Sequence, residues 1–219
     1  MLQASPTKGG TGIAIMGDYA DLVVRNKVVH SMATGLQKEN ENQNSRFQLL
    51  MNFAHEIRKA YQEQRLKEKV EYLDGKSYDY YRFQLVWTDV LIFSNVLRER
   101  AGYVPSDKLE QSMLFMLEHV IEAAAMEYDA TGGQRIKEFI GRGMLLDKYA
   151  FLLYQALHIH FVTQKRGITR FRNIPAYIRS YFNYGSARNE VVASFELSAA
   201  GQNCKAVDLE HTHFPDIKW

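Results

Sequence analysis

Apolar residues recur with a helical period along most of the chain. Between residues 45 and 73, Leu50, Phe53 and Ile57 fall on one helix face. Residues 80–100 are apolar on most sides, which is typical of a helix in the middle of a bundle. Similar patterns, bounded by capping residues, glycines or a proline in the first turn, predict further helices at 106–124, 134–140, 144–164 and 175–184.

Two segments follow a period of two instead. GIAIM at 12–16 predicts a short strand, and Asp18 behind it is the expected N-cap of a helix. Near the end of the sequence, EVVASFEL and KAVDLEH alternate apolar and polar residues on either side of SAAGQN, which predicts a β-hairpin over 190–219. Because an isolated hairpin is marginally stable in water, it must pack on the helices, pair with the strand at 12–16 or join another chain.

These elements predict a single, mostly α-helical domain. We expect a helical bundle with two central apolar helices and a small β element that combines the N-terminal strand with the C-terminal hairpin. Residues 12–184 then form the strand and the helical core, and residues 190–219 form the hairpin and tail. A chain of 219 residues, with 46% hydrophobic and 24% charged residues, is of ordinary length and composition for one globular domain.

Composition and the apolar runs favour a cytoplasmic protein. Cys204 is the only cysteine, which excludes an internal disulfide framework and suits a reducing compartment. The two most apolar stretches, 85–97 and 150–162, are shorter than the roughly 20 residues that span a bilayer, so we expect no membrane segment. The first ten residues lack the apolar core of a secretory signal.

The glycine cluster Gly9, Gly10 and Gly12 behind Lys8 resembles the start of a phosphate-binding loop. That loop also needs a Lys and a Ser or Thr after the last glycine, and it follows a strand. Ile13 and Ala14 stand after Gly12, and no strand pattern precedes the cluster. We therefore predict that these glycines lead into a strand and bind no nucleotide.

Three motifs, GIAIMGDYADL, FAHEIRKAYQ and LVWTDVLIFSNVLR, stand in this order and spacing within residues 12–128. Together they resemble a bacterial family known only as a domain of unknown function. The resemblance implies a bacterial, cytosolic setting. It carries over no catalytic residue and no substrate.

Charge is unevenly distributed along the chain, although the net charge is only +2. No Asp or Glu occurs between Tyr149 and Asn189, a stretch with six basic residues, and the rest of the chain is net negative. Cations bind phosphates, and aromatic rings stack on unpaired bases. The stretch 164–188 therefore predicts a nucleic-acid interface formed by Lys165, Arg166, Arg170, Arg172, Arg179, Tyr181, Tyr184 and Arg188. In the alternative interpretation, its aromatic residues form the inward face of a short helix.

We derive three functional hypotheses from these patterns. The favoured one is a non-enzymatic nucleic-acid-binding or accessory subunit of a bacterial assembly, with DNA or RNA as partner, no catalytic residue and no cofactor. The second is a protein–protein interaction or self-association module that uses the hairpin to bind a partner or form a homo-oligomer. The third is a metal-dependent hydrolase, because alternate strand positions place two histidines on one face beside two acids: Asp208, Glu210, His211 and His213.

Several other residues resemble parts of catalytic motifs. HEIRK at 55–59 begins like a zinc-peptidase helix but lacks the second histidine. We therefore interpret it as a solvent-exposed helix face. His158 and His160 point about 200° apart on a helix and cannot share a metal ion. We interpret one of the two as a hydrogen-bonded core histidine and the other as lining a groove.

Asp89 is an acid in the middle of the apolar run 85–97. Buried in such a run, it would have the raised pKa of a general base. In the alternative interpretation it turns toward Arg82 or solvent. Glu118 and Glu122 have the spacing of carboxylates in a di-iron bundle, but the Glu-x-x-His motifs that such a bundle needs are missing from the helices, so we exclude it.

Overall fold

A computed structural model of the chain describes residues 1–71, 75–209 and 214–219. These residues form four β-strands and nine α-helices, so the predicted mostly helical fold with a small β element is confirmed. The strands are β1 (Gln3–Pro6), β2 (Gly12–Gly17), β3 (Leu66–Glu71) and β4 (Ser77–Val86). The helices are α1 (Tyr19–Met32), α2 (Glu41–Tyr61), α3 (Trp87–Ala101), α4 (Lys108–Tyr128), α5 (Ala130–Ile136), α6 (Ala150–Thr163), α7 (Ile168–Arg172), α8 (Ile174–Phe182) and α9 (Ser186–Gln202).

The four strands form one antiparallel sheet in the order β1-β2-β4-β3. β2 covers the strand predicted at 12–16, and it pairs with β4 so that Ile13 lies opposite Leu85 and Ile15 opposite Phe83. These four side chains are buried in the core. Because cross-strand partners share a face, one side of the sheet packs on the helices.

The predicted helices at 45–73 and 80–100 are wrong over part of their length. α2 ends at Tyr61, and β3 and β4 follow it as a hairpin in which Lys67 lies opposite Tyr81. β4 then passes into α3 at Trp87 without a loop. Its alternating pattern is hidden in the sequence because its apolar end continues directly into the apolar start of α3.

Short polar residues cap the helices, as we predicted, although α2 and α4 begin at other residues than expected. Asp18 caps α1 as predicted, and its carboxylate accepts a hydrogen bond from the backbone N–H of Asp21 at 2.8 Å. Asn40 caps α2, five residues before the predicted helix start at residue 45. Asp107, one residue after the predicted helix start at residue 106, caps α4. A short polar side chain satisfies a free backbone N–H in each case.

The predicted hairpin at 190–219 is wrong. Residues 186–202 form the helix α9, a single 3-10 turn follows at Ala206–Asp208, and residues 210–213 lie outside the described residues. Phe195 and Ala199 of α9 are buried and Val191 is half-buried, so these positions, each four residues apart, form a helix face. The apolar residues of 190–197 fit both a helical period and an alternating, strand-like one. The segment forms a helix because its apolar face packs on the core.

The core centres on α3, in which every residue from Trp87 to Leu97 is buried. Phe93 stacks on Phe53 of α2 with 5.2 Å between ring centroids, and it packs against Tyr154 of α6 at 5.5 Å. α3 therefore lies between α2 and α6. Within the described part of the chain, no helix has both the length and the apolar character needed to cross a membrane.

Candidate acid–base site

A cavity of about 450 Å³ lies where β4 ends and α3 begins. Six parts of the chain form its walls: α2, the turn after α2 that carries Arg65, the end of β4, α3, α6 and the segment 214–219. The lining combines apolar and aromatic side chains with polar and charged ones. The lining residues are Asn52, His55, Glu56, Arg65, Gln84, Leu85, Val86, Asp89, Phe93, Tyr154, His158, Ile217 and Trp219.

A buried carboxylate and a buried imidazole meet in the wall of this cavity. Oδ2 of Asp89 lies 2.7 Å from Nδ1 of His158, and the two residues are only 4% and 8% exposed. Asp89 belongs to the first turn of α3, where the helix dipole favours negative charge. The interpretation that Asp89 turns toward Arg82 or solvent is therefore wrong, and the interpretation of one histidine as a hydrogen-bonded core residue is confirmed for His158.

The hydrogen bond to Asp89 fixes which nitrogen of His158 can act in the cavity. An ionised carboxylate only accepts hydrogen bonds, so Nδ1 of His158 carries the proton and donates it. In the neutral imidazole, Nε2 then holds the free lone pair. Among the described residues, no group hydrogen-bonds to Nε2. This arrangement suits general acid–base chemistry, which needs an oriented imidazole with one nitrogen open to a ligand.

Two opposing effects act on the pKa of His158. Burial disfavours the charged imidazolium and lowers the pKa, whereas the charge and the hydrogen bond of Asp89 raise it. The effect of Asp89 is the stronger, so the pKa of His158 lies above its ordinary value of 6.5.

We expect the Asp89–His158 pair to stabilise the fold more at mildly acidic pH than at alkaline pH. Because the pKa of His158 is raised in the folded state, proton binding favours folding. This contribution is complete below the unfolded-state pKa of about 6.5 and is lost as the pH rises through the folded-state pKa. Urea unfolding of the wild type and His158→Gln, from about pH 6 to about pH 9, measures it. The stability difference between them should shrink with rising pH, and a constant difference would contradict the raised pKa.

Tyr154 lies one helical turn before His158, and its hydroxyl stays protonated. Burial raises the pKa of Tyr154 well above its ordinary value, and the carboxylates of Asp89 and Glu56 raise it further. A hydrogen bond with Asn52 acts in the opposite direction but does not offset this. Tyr154 therefore contributes a neutral hydroxyl to the cavity lining. The spacing of four residues between Tyr154 and His158 places both on one face of α6, a signal that the sequence contained.

An ion pair between Glu56 and Arg65 forms part of the cavity lining. Arg65 donates from Nε to Oε2 of Glu56 at 3.0 Å and from Nη2 to Oε1 at 2.9 Å. Its remaining nitrogen, Nη1, donates to the carbonyl oxygen of Gln64 at 3.2 Å. Partial burial and the neighbouring cations, Lys59 first among them, lower the pKa of His55, and Glu56 offsets this in part. His55 is therefore an uncharged side chain near neutral pH.

The segment 214–219 forms a wall of the cavity and is anchored to the start of the chain. Phe214 packs edge-on against the ring of His158 with 5.8 Å between centroids. The hydroxyl of Thr11 donates to the carbonyl oxygen of Lys218 at 2.6 Å, and it accepts a hydrogen bond from Nη2 of Arg170 at 2.9 Å. Arg170 thus supports the segment that carries the cavity residues Ile217 and Trp219.

The structure separates the cations of the predicted nucleic-acid interface. Arg170 and Arg188 are buried, Arg172 and Arg179 form ion pairs with Asp129 and Glu138, and Arg188 forms one with Asp147. Lys165 and Arg166 are exposed. Tyr181 is half-buried against His160, whereas Tyr184 is 83% exposed. Nucleic-acid binding through 164–188 stays a prediction.

The predicted metal cluster lies mostly outside the described residues. Asp208 belongs to the 3-10 turn that follows α9, whereas Glu210, His211 and His213 are among the residues that the structure does not describe. Elsewhere, in residues 1–71, 75–209 and 214–219, no three His, Cys, Asp or Glu side chains are grouped so that they could hold a metal ion.

Comparison with known proteins identifies a family for the chain. A family model described as a domain of unknown function (DUF6904) matches residues 2–219. The match covers nearly the whole chain, so the chain belongs to this family. The resemblance of residues 12–128 to a domain of unknown function is thereby confirmed. No curated protein and no solved structure matches the chain.

Proposed function

We propose that this member of the DUF6904 family is a hydrolase in which His158 acts as general base and Asp89 positions it. The observation that carries the proposal is the buried 2.7 Å hydrogen bond between Asp89 and Nδ1 of His158 in the wall of a ligand-sized cavity. This function departs from the non-enzymatic one that we expected from the sequence, because the sequence leaves Asp89 and His158 unconnected.

Water is the nucleophile in the proposed reaction. The lining residues in the described part of the chain include no Ser, Thr or Cys, so a covalent intermediate on such a side chain has no support. Nε2 of His158 takes a proton from a water molecule, and the resulting hydroxide attacks the carbonyl carbon of an ester or amide. When the carbon–heteroatom bond breaks, the imidazolium returns the proton to the leaving group.

The other polar groups of the cavity suit substrate binding. Asn52 and Gln84 provide amide N–H donors, and Tyr154 provides a neutral hydroxyl. Donors of this kind hold a substrate carbonyl and support the negative charge that develops on its oxygen. Phe93, Tyr154 and Trp219 offer aromatic surface to the apolar part of the substrate.

Nucleic-acid binding is the second candidate function. It is favoured by the exposure of Lys165 and Arg166, which are free to approach a phosphate from solvent, and of Tyr184, whose ring is free to stack on a base. The support is weaker than for the cavity, since the other cations of the stretch are buried or engaged in ion pairs.

Hydrolysis of p-nitrophenyl butyrate tests the proposed function. We expect His158→Gln to lower kcat/KM by about 100-fold or more, and Asp89→Asn to lower it as well, because the first removes the base and the second its orientation. His160→Gln is the matched control. This histidine lies on the same helix but packs on Tyr177 and Tyr181 outside the cavity, so its variant should keep the wild-type rate. Equal rates for the two histidine variants, or no turnover above buffer, would overturn the proposal.

A further inference from the structure

We infer that the ion pair between Glu56 and Arg65 makes this cavity selective for uncharged substrates. The substrate class is then a neutral ester or amide, and carboxylates and phosphates are excluded. This selectivity rests on the proposed function, which makes the cavity a substrate site, and it adds the chemical class that the site accepts.

The geometry of the pair leaves Arg65 with little capacity for a ligand. Both oxygens of Glu56 accept from the guanidinium at 2.8 to 3.0 Å, and the third nitrogen donates to the carbonyl oxygen of Gln64. Such a two-point contact is the strongest form of an arginine–carboxylate pair. An anionic ligand that approaches Arg65 therefore finds most of its N–H donors already engaged.

The remaining charges of the cavity also cancel or are absent. Asp89 pairs with His158, so this pair is neutral when the imidazole is protonated and negative when it is not. His55 and Tyr154 are both uncharged near neutral pH for the reasons given above. In neither protonation state of His158 does the described lining offer an unpaired positive charge to an anion.

Transfer into this cavity therefore penalises an ionic ligand. A carboxylate or phosphate loses part of its hydration on entry, and a charge that is desolvated without a counter-charge is costly. A neutral ligand avoids this cost, because its carbonyl or hydroxyl groups pair with Asn52 and Gln84 and its apolar part contacts Phe93 and Trp219. Glu56 is thus a specificity-determining residue that acts by neutralising Arg65.

If Glu56 acts by neutralising Arg65, the variant Glu56→Gln should gain affinity for anionic ligands. Glutamine keeps the size of the side chain and removes its charge, which leaves the guanidinium of Arg65 available to an anion. The variant should accept anionic ligands that the wild type rejects. The double variant Glu56→Gln/Arg65→Gln has neither charge, so it should lose that gain.

The test uses two esters that differ only at the end of the acyl chain. p-Nitrophenyl butyrate ends in a methyl group, and mono-p-nitrophenyl succinate carries a carboxylate there. Wild-type protein should prefer the butyrate ester. In Glu56→Gln, the ratio of kcat/KM for succinate over butyrate should rise about fivefold, a modest change because Arg65 is partly exposed and water screens its charge. Glu68→Gln is the matched control, since Glu68 pairs with Arg82 on the sheet and does not line the cavity.

A binding measurement separates this inference from the proposed function. Butyranilide and succinanilic acid are the corresponding amides, and quenching of Trp219 fluorescence reports their binding without turnover. A changed binding ratio in Glu56→Gln with no His158-dependent hydrolysis would support the selectivity and overturn the hydrolase. Normal hydrolysis with an unchanged ratio would overturn the selectivity alone, as would a gain that persists in the double variant.

Discussion

Gly12→Ala should be the most destabilising single methyl addition, with a loss of about 4 kcal/mol or more in the free energy of unfolding. Gly12 belongs to β2, and a Cβ atom there would lie 1.9 Å from the carbonyl oxygen of Leu85 and 2.9 Å from Cα of Val86. Both atoms belong to the backbone of β4, which has no side-chain rotamer with which to relieve the overlap. The paired strands must move apart, and the buried residues on them lose their packing.

Urea unfolding followed by circular dichroism measures this loss. Gly201→Ala is the control, because a Cβ at Gly201 meets no atom within 4 Å and the residue lies in α9. Alanine in a helix interior is more favourable than glycine by roughly 0.5–1 kcal/mol, so this variant should keep or gain stability. Wild-type stability of Gly12→Ala would show that β2 and β4 do not approach each other as described.

Arg170→Glu should have the second-largest effect, a loss of about 3 kcal/mol or more. Arg170 is buried, its guanidinium donates to the carbonyl oxygens of Phe161 and Gln164 and to the hydroxyl of Thr11, and it lies 4.5 Å from the ring of Phe161. A carboxylate cannot donate to these acceptors, and it would be buried opposite the carbonyl oxygens at the end of α6.

Thermal and urea unfolding of Arg170→Glu and Lys165→Glu check this expectation. Lys165 is exposed and only five residues away, so its reversal changes the charge of the same stretch by the same amount and should leave stability nearly unchanged. Equal stability of the two variants would mean that Arg170 is not a structural residue. If Arg170→Glu is unstable, a loss of nucleic-acid binding in that variant says nothing about phosphate contacts. Charge reversal at the exposed residues Lys165 and Arg166 then becomes the test of nucleic-acid binding.

The sequence predicts most of the features that depend on local chemistry. The strand at 12–16, the cap at Asp18 and Pro175 in the first turn of α8 each follow from a short pattern, and each is confirmed. The β3–β4 hairpin was missed because the apolar end of β4 continues directly into α3, and α9 was missed because two periods compete in residues 190–197. At 190–197, the alternating pattern coincides with a helix face, and contacts with distant residues decide the outcome.

The candidate site is less predictable because its members are distant in sequence. Asp89 and His158 were noticed separately, the one as an acid in an apolar run and the other in an apolar helix. Their pairing across 69 positions depends on how α3 packs against α6. Glu56 and Arg65 are nine positions apart and meet only because the chain turns back into β3 after α2. No periodicity of α2 predicts that contact.

Because β4 passes directly into α3, the register of the sheet sets the position of Asp89 relative to His158. Val86 pairs with Gly12, and the N–H of Trp87 donates to the carbonyl oxygen of Thr11. These contacts fix the first turn of α3 relative to β2. A slip of β4 by two residues would preserve which side chains face the core but carry Asp89 about 7 Å along the strand direction, out of reach of His158. The register of β4 therefore determines the distance between Oδ2 of Asp89 and Nδ1 of His158. The NMR signal of the imidazole proton between Asp89 and His158 would therefore report whether β2 and β4, the two inner strands of the sheet, are paired in the correct register.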